Sequence, residues 1–354
     1  MPSTGTGRTV GATPLPPEPF LDLDRETRQE IYLATSGMTG LTGPILEKDV
    51  WVCWTLRELF SMPGALPMAF KGGTSLSKVY NAISRFSEDV DITIAYNALD
   101  DSIDPFDPRT SGKARSRYSD TLKGKVATHV TDVVAPHLRI ALAAELGLRP
   151  DTVELDPGNA ENVFIHYPSA FDEAGGYLAH RVKVEFGGRN AILPNEGHTI
   201  RPYVEEHAQG LAFPEARVQV LAAERTFWEK ATLIHVACGR PLRQDSTRQS
   251  RHWYDLDRLS QSDIGASALA DRELLADVVK VKKMFFNSSI ADYDACLNGG
   301  LRLIPTGDSL AALERDYLDM CDAGMILGKP LNFRDIISRL TALGQKMNSQ
   351  TTSD

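Results

Sequence analysis

The chain has 354 residues, 42% apolar and 24% charged, with Asp and Glu outnumbering Lys and Arg by 47 to 38. That length accommodates one large domain or two medium ones with proper cores, and two are expected. The net charge of −9 argues against a broadly basic nucleic-acid coat, so any nucleic acid must be met by a local patch. Cys53, Cys238, Cys296 and Cys321 are scattered, with no C-x-x-C pair, and suggest neither a zinc site nor a disulfide framework. Residues 1–20, rich in Thr, Gly and Pro, read as a flexible arm without the apolar core of a signal peptide. No later run approaches a membrane span, so a cytoplasmic protein is expected.

After the arm, residues 24–36 suit a short helix and residues 40–44 a turn. Residues 46–60 pattern as an amphipathic helix with Trp54 inward, and residues 66–70 as a short buried strand. That strand delivers Lys71-Gly72-Gly73-Thr74, where two glycines let backbone N–H groups approach a ligand and Thr74 caps a following helix. Leu76, Val79, Tyr80 and Ile83 recur at helical spacing, as one stripe that ends at Ser84 and Arg85. From Asp89 the period becomes two. Val90, Ile92 and Ile94 share one strand face while Asp89, Asp91 and Thr93 share the other. A helix rising ~1.5 Å per residue and a strand returning at ~3.3 Å per residue bring both aspartates back to the glycine turn. Phosphate-facing donors beside paired carboxylates read as a magnesium nucleotide site.

Residues 100–108 form an acidic loop, and the basic residues 109–125 suit a solvated helix face or a grip on acceptor phosphates. Residues 126–146 read as a helix with Val130, Val133, Val134, Leu138 and Leu142 inward. Strands are expected at 163–167 and 178–186, joined by a turn at 172–176, with Glu185 on the face opposite the core. Residues 191–200 are loop or edge. From 216 the pattern turns helical: a helix opening at Glu224 has Phe227, Ala231, Ile234 and Cys238 inward, with Lys230 beside that stripe. A basic loop at 239–249 holds Arg240, Arg243 and Arg248. Beyond it Arg251 and Asp255 are spaced to pair on a helix, and His252 reads as a packed histidine. Helices follow at 273–286, with Lys280, Lys282 and Lys283 near its end, at 308–321 and at 333–343, before a frayed tail.

Lys71-Gly72-Gly73-Thr74 with Ser87-Glu88-Asp89-Val90-Asp91 resembles the opening motif of DNA-polymerase-β-like nucleotidyltransferases, and more narrowly the AbiEii/AbiGii toxin branch. Residues 221–230, ending in Lys230, are similar to the second motif of that family, and residues 251–256, holding Asp255, to a third. The resemblance covers roughly residues 66–259. It implies a mixed α/β (α+β) fold, with a polymerase-β-like nucleotidyltransferase lobe on a mixed sheet and a C-terminal helical lobe. The expected boundaries are 1–20 for the arm, 21–215 for the first lobe, 216–347 for the second and 348–354 for the tail.

The activity so implied is transfer of a nucleotide from an NTP, with release of pyrophosphate, by the toxin of a toxin–antitoxin pair linked to phage defence. The acceptor would be tRNA and the partner a cognate antitoxin. Asp89 and Asp91, with Glu185 as a third carboxylate, are the expected ligands of Mg2+ or Mn2+. Lys71, Gly72, Gly73, Thr74, Lys78 and Arg225 are assigned to the nucleotide, and Lys230 and Asp255 to catalysis. Two other readings stay open: transfer to a protein hydroxyl such as one on the antitoxin, and a non-catalytic nucleotide-binding interaction protein.

Overall fold

A computed structural model describes residues 17–172, 179–242, 248–288 and 290–349. Strand β1 (Glu18–Pro19) comes first, and Phe20 after it is completely buried. The expected arm therefore ends earlier than residue 20, because Phe20 stacks on Phe213 at 4.6 Å and meets Tyr32 edge-on. Helix α1 (Arg25–Thr39) starts where the Asp24 carboxylate accepts the Thr27 N–H, at 2.8 Å, and stops at Gly40 in the left-handed region. Helix α2 (Gly43–Ser61) begins with Pro44 in its first turn and is buried almost all round. Residues read as a turn at 43–44 are thus already helical.

Strand β2 (Met68–Lys71) runs straight into helix α3 (Gly72–Lys78), and strand β3 (Val90–Ile94) returns antiparallel to β2. The expected helix to Ile83 is shorter than its apolar stripe. Asn81 takes a positive φ of 47°, and residues 84–86 instead join a distant segment, Phe86 N–H donating to Met325 O at 2.7 Å. Ile83 is still buried, but against the C-terminal helices, while Val79 packs toward the sheet. Apolar periodicity recorded that these residues are inside and mistook two cores for one helical face.

Helix α4 (Tyr96–Leu99) is a single turn, and α5 (Gly112–His129) passes through a π-helical turn at Val130–Val134 into α6 (Ala135–Leu146). The π turn shifts the register, so Val134 is buried while Val133, expected inward, is exposed. Strands β4 (Val153–Leu155), β5 (Asn162–His166), β6 (Arg181–Gly187), β7 (Asn195–Ile200), β8 (Leu211–Ala212) and β9 (Ala216–Leu221) follow. Most of the expected turn at 172–176, the first residue of the strand expected at 178, and Arg243 lie outside the described residues.

Seven strands form a mixed sheet in the order β4-β5-β6-β3-β2-β9-β7, and β1 pairs with β8 apart from it. Within the seven-stranded sheet β3/β6 and β2/β9 are parallel and the other neighbours antiparallel. Strand β9 lies beyond residue 215 yet pairs with β2 in the centre of this sheet, so a boundary at 215 would cut the sheet. Val90, Ile92 and Ile94 pack with α2, α6 and neighbouring strands in one apolar cluster.

The remaining elements are helices: α7 (Ala223–Ala237), α8 (Ser250–Ser260), α9 (Asp263–Ala270), α10 (Arg272–Phe285), α11 (Asp308–Asp322) and α12 (Phe333–Ser349). They enclose a second cluster built on Phe227, Trp228, Trp253, Leu256, Leu313 and Leu340. The last helix runs past the expected end at 343. Asn348 exchanges two 3.0 Å hydrogen bonds with the Leu301 backbone, which ties down the residue expected to fray. Among the described residues no helix is long and apolar enough to cross a membrane.

Candidate active site

The β2–α3 junction, the entry to β3, and helices α7, α8 and α10 border a cleft of about 210 Å³. Lys71, Gly72, Gly73, Asp89, Asp91 and Lys230 all line it. The glycines are required by close approach. Gly72 has φ 80°, and a Cβ built on it would lie 1.9 Å from Asp91 Oδ2. A Cβ on Gly73 would lie 2.5 Å from Arg85 Nη2 and 2.6 Å from Ser87 Oγ. No L side chain fits either place without moving the acid or the arginine.

Asp91 sits in register between Lys71 on β2 and Glu185 on β6. Burial, then the like charges of Glu185 and Asp89, push its carboxyl up to about 6 against the pull of Lys71 and Arg251. Asp89 falls just before β3, and Arg251 Nη1 approaches its Oδ2 to 3.7 Å. Its neighbour Glu88 is fixed by the buried Lys48 ammonium and by Arg248 at 3.4 Å, which anchors the segment carrying both aspartates. Glu185 does not line the cleft and pairs with Lys183. Among the described residues no three His, Cys, Asp or Glu side chains gather closely enough to hold a metal ion. Asp89 and Asp91 are the acids beside the glycine turn, Glu229 lines the helical side of the cleft, and Glu185 stands one strand away.

Thr74 has a different role from the expected cap. The N-cap position is Lys71, and Thr74, inside the helix, donates its hydroxyl hydrogen to Asp89 O at 2.5 Å and lies 3.1 Å from Ser87 Oγ. It fastens the turn to the entry of β3 and does not line the cleft.

On the helical side, Asp255 is fully buried and takes a bidentate pair from Arg85 (2.6 and 2.7 Å) and a third contact from Lys230 Nζ at 2.9 Å. The expected i,i+4 pair of Arg251 with Asp255 does not form, because Arg85 and Lys230 occupy that carboxylate and Arg251 turns to Asp89. Despite burial, Arg85 and Lys230 hold Asp255 well below the carboxylate range. One carboxylate serves two cations, so the triad leaves a positive charge beside the cleft. Burial and Arg85 lower Lys230, against the pull of Asp255. His252 lines the cleft with Nδ1 buried and unpartnered among the described residues, and burial with Lys230 and Arg251 keeps it far below its usual value. It is neutral at pH 7.

Besides Thr74, two more expected nucleotide ligands lie elsewhere. Lys78 is buried against Asp49, donates to Arg201 O at 3.1 Å and covers the Tyr203 ring at 3.9 Å. Arg225 is 1% exposed and bonds Asp277 at 2.7 Å. Neither lines the cleft, because each cation was already matched to a distant carboxylate. Lys78→Met should cost about 3 kcal/mol in urea unfolding by leaving Asp49 buried without its cation. Adding Asp49→Leu should recover most of that loss.

The sequence reading missed Arg85, Arg251 and Lys282 as cleft cations. Arg251 opens one of the motifs and was legible there, whereas Arg85 showed only as the end of an apolar stripe. Lys282 carries no local signal, since only the packing of α10 on α7 brings it in. Burial, with Lys71 and Arg225 adding to it and Glu229 opposing, takes Lys282 down to about 8. Glu229 itself, though buried, is held down to about 2 by Lys71, Lys282 and Arg225, and accepts a 2.8 Å bond from Asn190.

No curated protein matches the chain. Among solved structures it is similar to MenT4, a nucleotidyltransferase toxin from Mycobacterium tuberculosis H37Rv, at a TM-score of 0.47 and 16% identity, covering 94% of this chain and 91% of that one. The family described as nucleotidyl transferase AbiEii toxin, type IV TA system, matches residues 54–339. Over that span the chain belongs to the AbiEii family, the nucleotidyltransferase toxins of type IV toxin–antitoxin systems.

Proposed function

We propose that this toxin is a divalent-metal-dependent enzyme of the cytoplasm that transfers a nucleotide from an NTP to tRNA and is countered by a cognate antitoxin. The observation that carries the reading is the meeting of the Gly72-Gly73 turn, Asp89 and Asp91 in one cleft ringed by cations. Asp89 and Asp91 offer hard oxygen donors, and magnesium is commonly held by one or two carboxylates with substrate phosphates and water completing its shell. Such an ion, when bound, neutralises triphosphate charge and relieves the crowding of acids around Asp91. Glu185 would support that pair from the adjacent strand.

In this reading Lys71, Lys230, Arg251 and Lys282 bind the triphosphate, and Gly72 and Gly73 allow its close approach. Arg85 and Asp255 position Lys230. An acceptor hydroxyl gives up its proton to water as its oxygen forms the new bond to the α-phosphorus, the bond from that phosphorus to the α–β bridging oxygen breaks, and pyrophosphate leaves with its charge stabilised by Lys230. Neutral His252 contributes no charge to this step. Intact mass analysis of bulk tRNA and of the protein after incubation with each NTP tests the proposal. A nucleotide-monophosphate gain on tRNA, dependent on added Mg2+ or Mn2+, is expected. Gain on protein alone would move the acceptor to a side-chain hydroxyl, and gain on neither would end the enzymatic reading.

Nucleotide affinity should also depend on pH through Lys282. That amine is charged below about 8 and neutral above it, so affinity should fall as pH rises past that point. Loss of one cation from the cleft corresponds to roughly tenfold, or ~1.4 kcal/mol. Titration with a fluorescent NTP from pH 7 to 9.5 should show the fall in wild type (roughly tenfold overall) and a flat profile in Lys282→Arg, whose guanidinium stays charged.

A further inference from the structure

A large groove lies outside the nucleotide cleft. It has a volume of about 830 Å³ and runs between the first turns of α5 and the end of α10. Arg115, Lys123, Arg189, Lys280 and Lys283 line it, against Asp120 and Asp294. A local cationic excess on a chain of net charge −9 requires an explanation other than composition. Lys123 and Lys280 are exposed, and neither forms an ion pair among the described residues. Phe106 lines the same groove beneath Lys280, whose Nζ stands 4.7 Å from the ring centroid, and packs edge-on against the buried Phe285.

Groove and cleft share a wall. Lys282 lines the cleft while Lys280 and Lys283, on the same helix, line the groove. Arg189 lines the groove while the next residue, Asn190, bonds Glu229 in the cleft.

We propose that this groove seats the phosphate backbone of the RNA acceptor and leads its reacting end into the nucleotide cleft. The assignment rests on the transferase reading above. Cations follow a phosphate chain without regard to sequence. The shared wall favours RNA, the acceptor whose end must enter the nucleotide cleft, over an acidic protein with no such end to deliver.

The test is fluorescence anisotropy of labelled bulk tRNA with the full chain, from about 50 to 200 mM salt. Wild type is compared with Lys123→Glu/Lys280→Glu and with Lys329→Glu/Arg334→Glu, an equal charge change at exposed positions outside the groove. The groove pair should weaken tRNA binding at least ~10-fold and reduce the salt slope by roughly 1.5, while the control pair stays near wild type. Equal loss in both pairs, or no loss in the groove pair, overturns the proposal. Displacement of tRNA by poly-glutamate at matched charge assigns the groove to an acidic protein and also overturns it. If circular dichroism shows the reversal variant unfolded, Lys123→Ala/Lys280→Ala replaces it, with about half the effect expected. A thermal shift with NTP is read on the same samples. Its absence in wild type counts against the transferase reading, whereas its presence with unaffected RNA binding counts against the groove alone.

Discussion

Asp91→Asn should lower nucleotide transfer about 10³-fold, ~4 kcal/mol in transition-state free energy, in a chain that remains folded. Asp91 is the acid that the rest of the site surrounds. It packs against the Gly72 backbone, with Lys71 and Glu185 in register on either side, and its carboxyl already titrates at about 6 because burial and two other acids oppose its charge. The amide keeps the shape, removes a charge the protein holds at a cost, and takes away the oxygen a divalent ion needs. Activity should therefore fall without a loss of stability, a combination that a purely structural aspartate would not give. Single-turnover transfer from α-labelled NTP measures the first quantity and thermal melting the second. Activity within tenfold of wild type, in protein melting normally, would remove Asp91 from the mechanism.

Asp255→Ala should destabilise the protein by about 5 kcal/mol, because it leaves two buried cations, Arg85 and Lys230, without their shared carboxylate. Removing one cation instead, by Lys230→Met, should cost far less, since Arg85 keeps its bidentate partner. That contrast separates the structural part of Asp255 from catalysis: Lys230→Met should be folded and inactive. The pH dependence has a definite sign. Arg85 and Lys230 hold the Asp255 carboxyl below its unfolded value, so its stabilisation is present above the unfolded pKa near 4 and disappears as pH falls through the folded value. Urea unfolding should show the gap between wild type and Asp255→Asn full at pH 7 and narrowing below about pH 4. A gap independent of pH would mean that the carboxylate's charge is not what stabilises the triad.

These two residues also show how much was legible in the chain. Asp91 follows a glycine pair and a change of period that are readable without tertiary information, whereas Asp255 was singled out only by the resemblance of its segment to a family motif. Arg85, which orients Asp255 from 170 residues away, marked only the end of an apolar stripe. Lys78 and Arg225 stand next to motif residues and looked equivalent to Lys71. Asp49 and Asp277 had already claimed them.

The sequence by itself determined the strand carrying Asp91, the glycines that let the acid lie against the turn, and the helix bearing Lys230. Each follows from apolar periodicity or backbone freedom, which act over a few residues. Only the tertiary structure decided which cations face the cleft, that β9 belongs in the sheet, and that Thr74 fastens the turn and does not cap it. The reason is physical. A buried long-stemmed cation goes to whichever carboxylate folding brings near, and that choice is made between residues far apart in the chain, where local pattern carries no information.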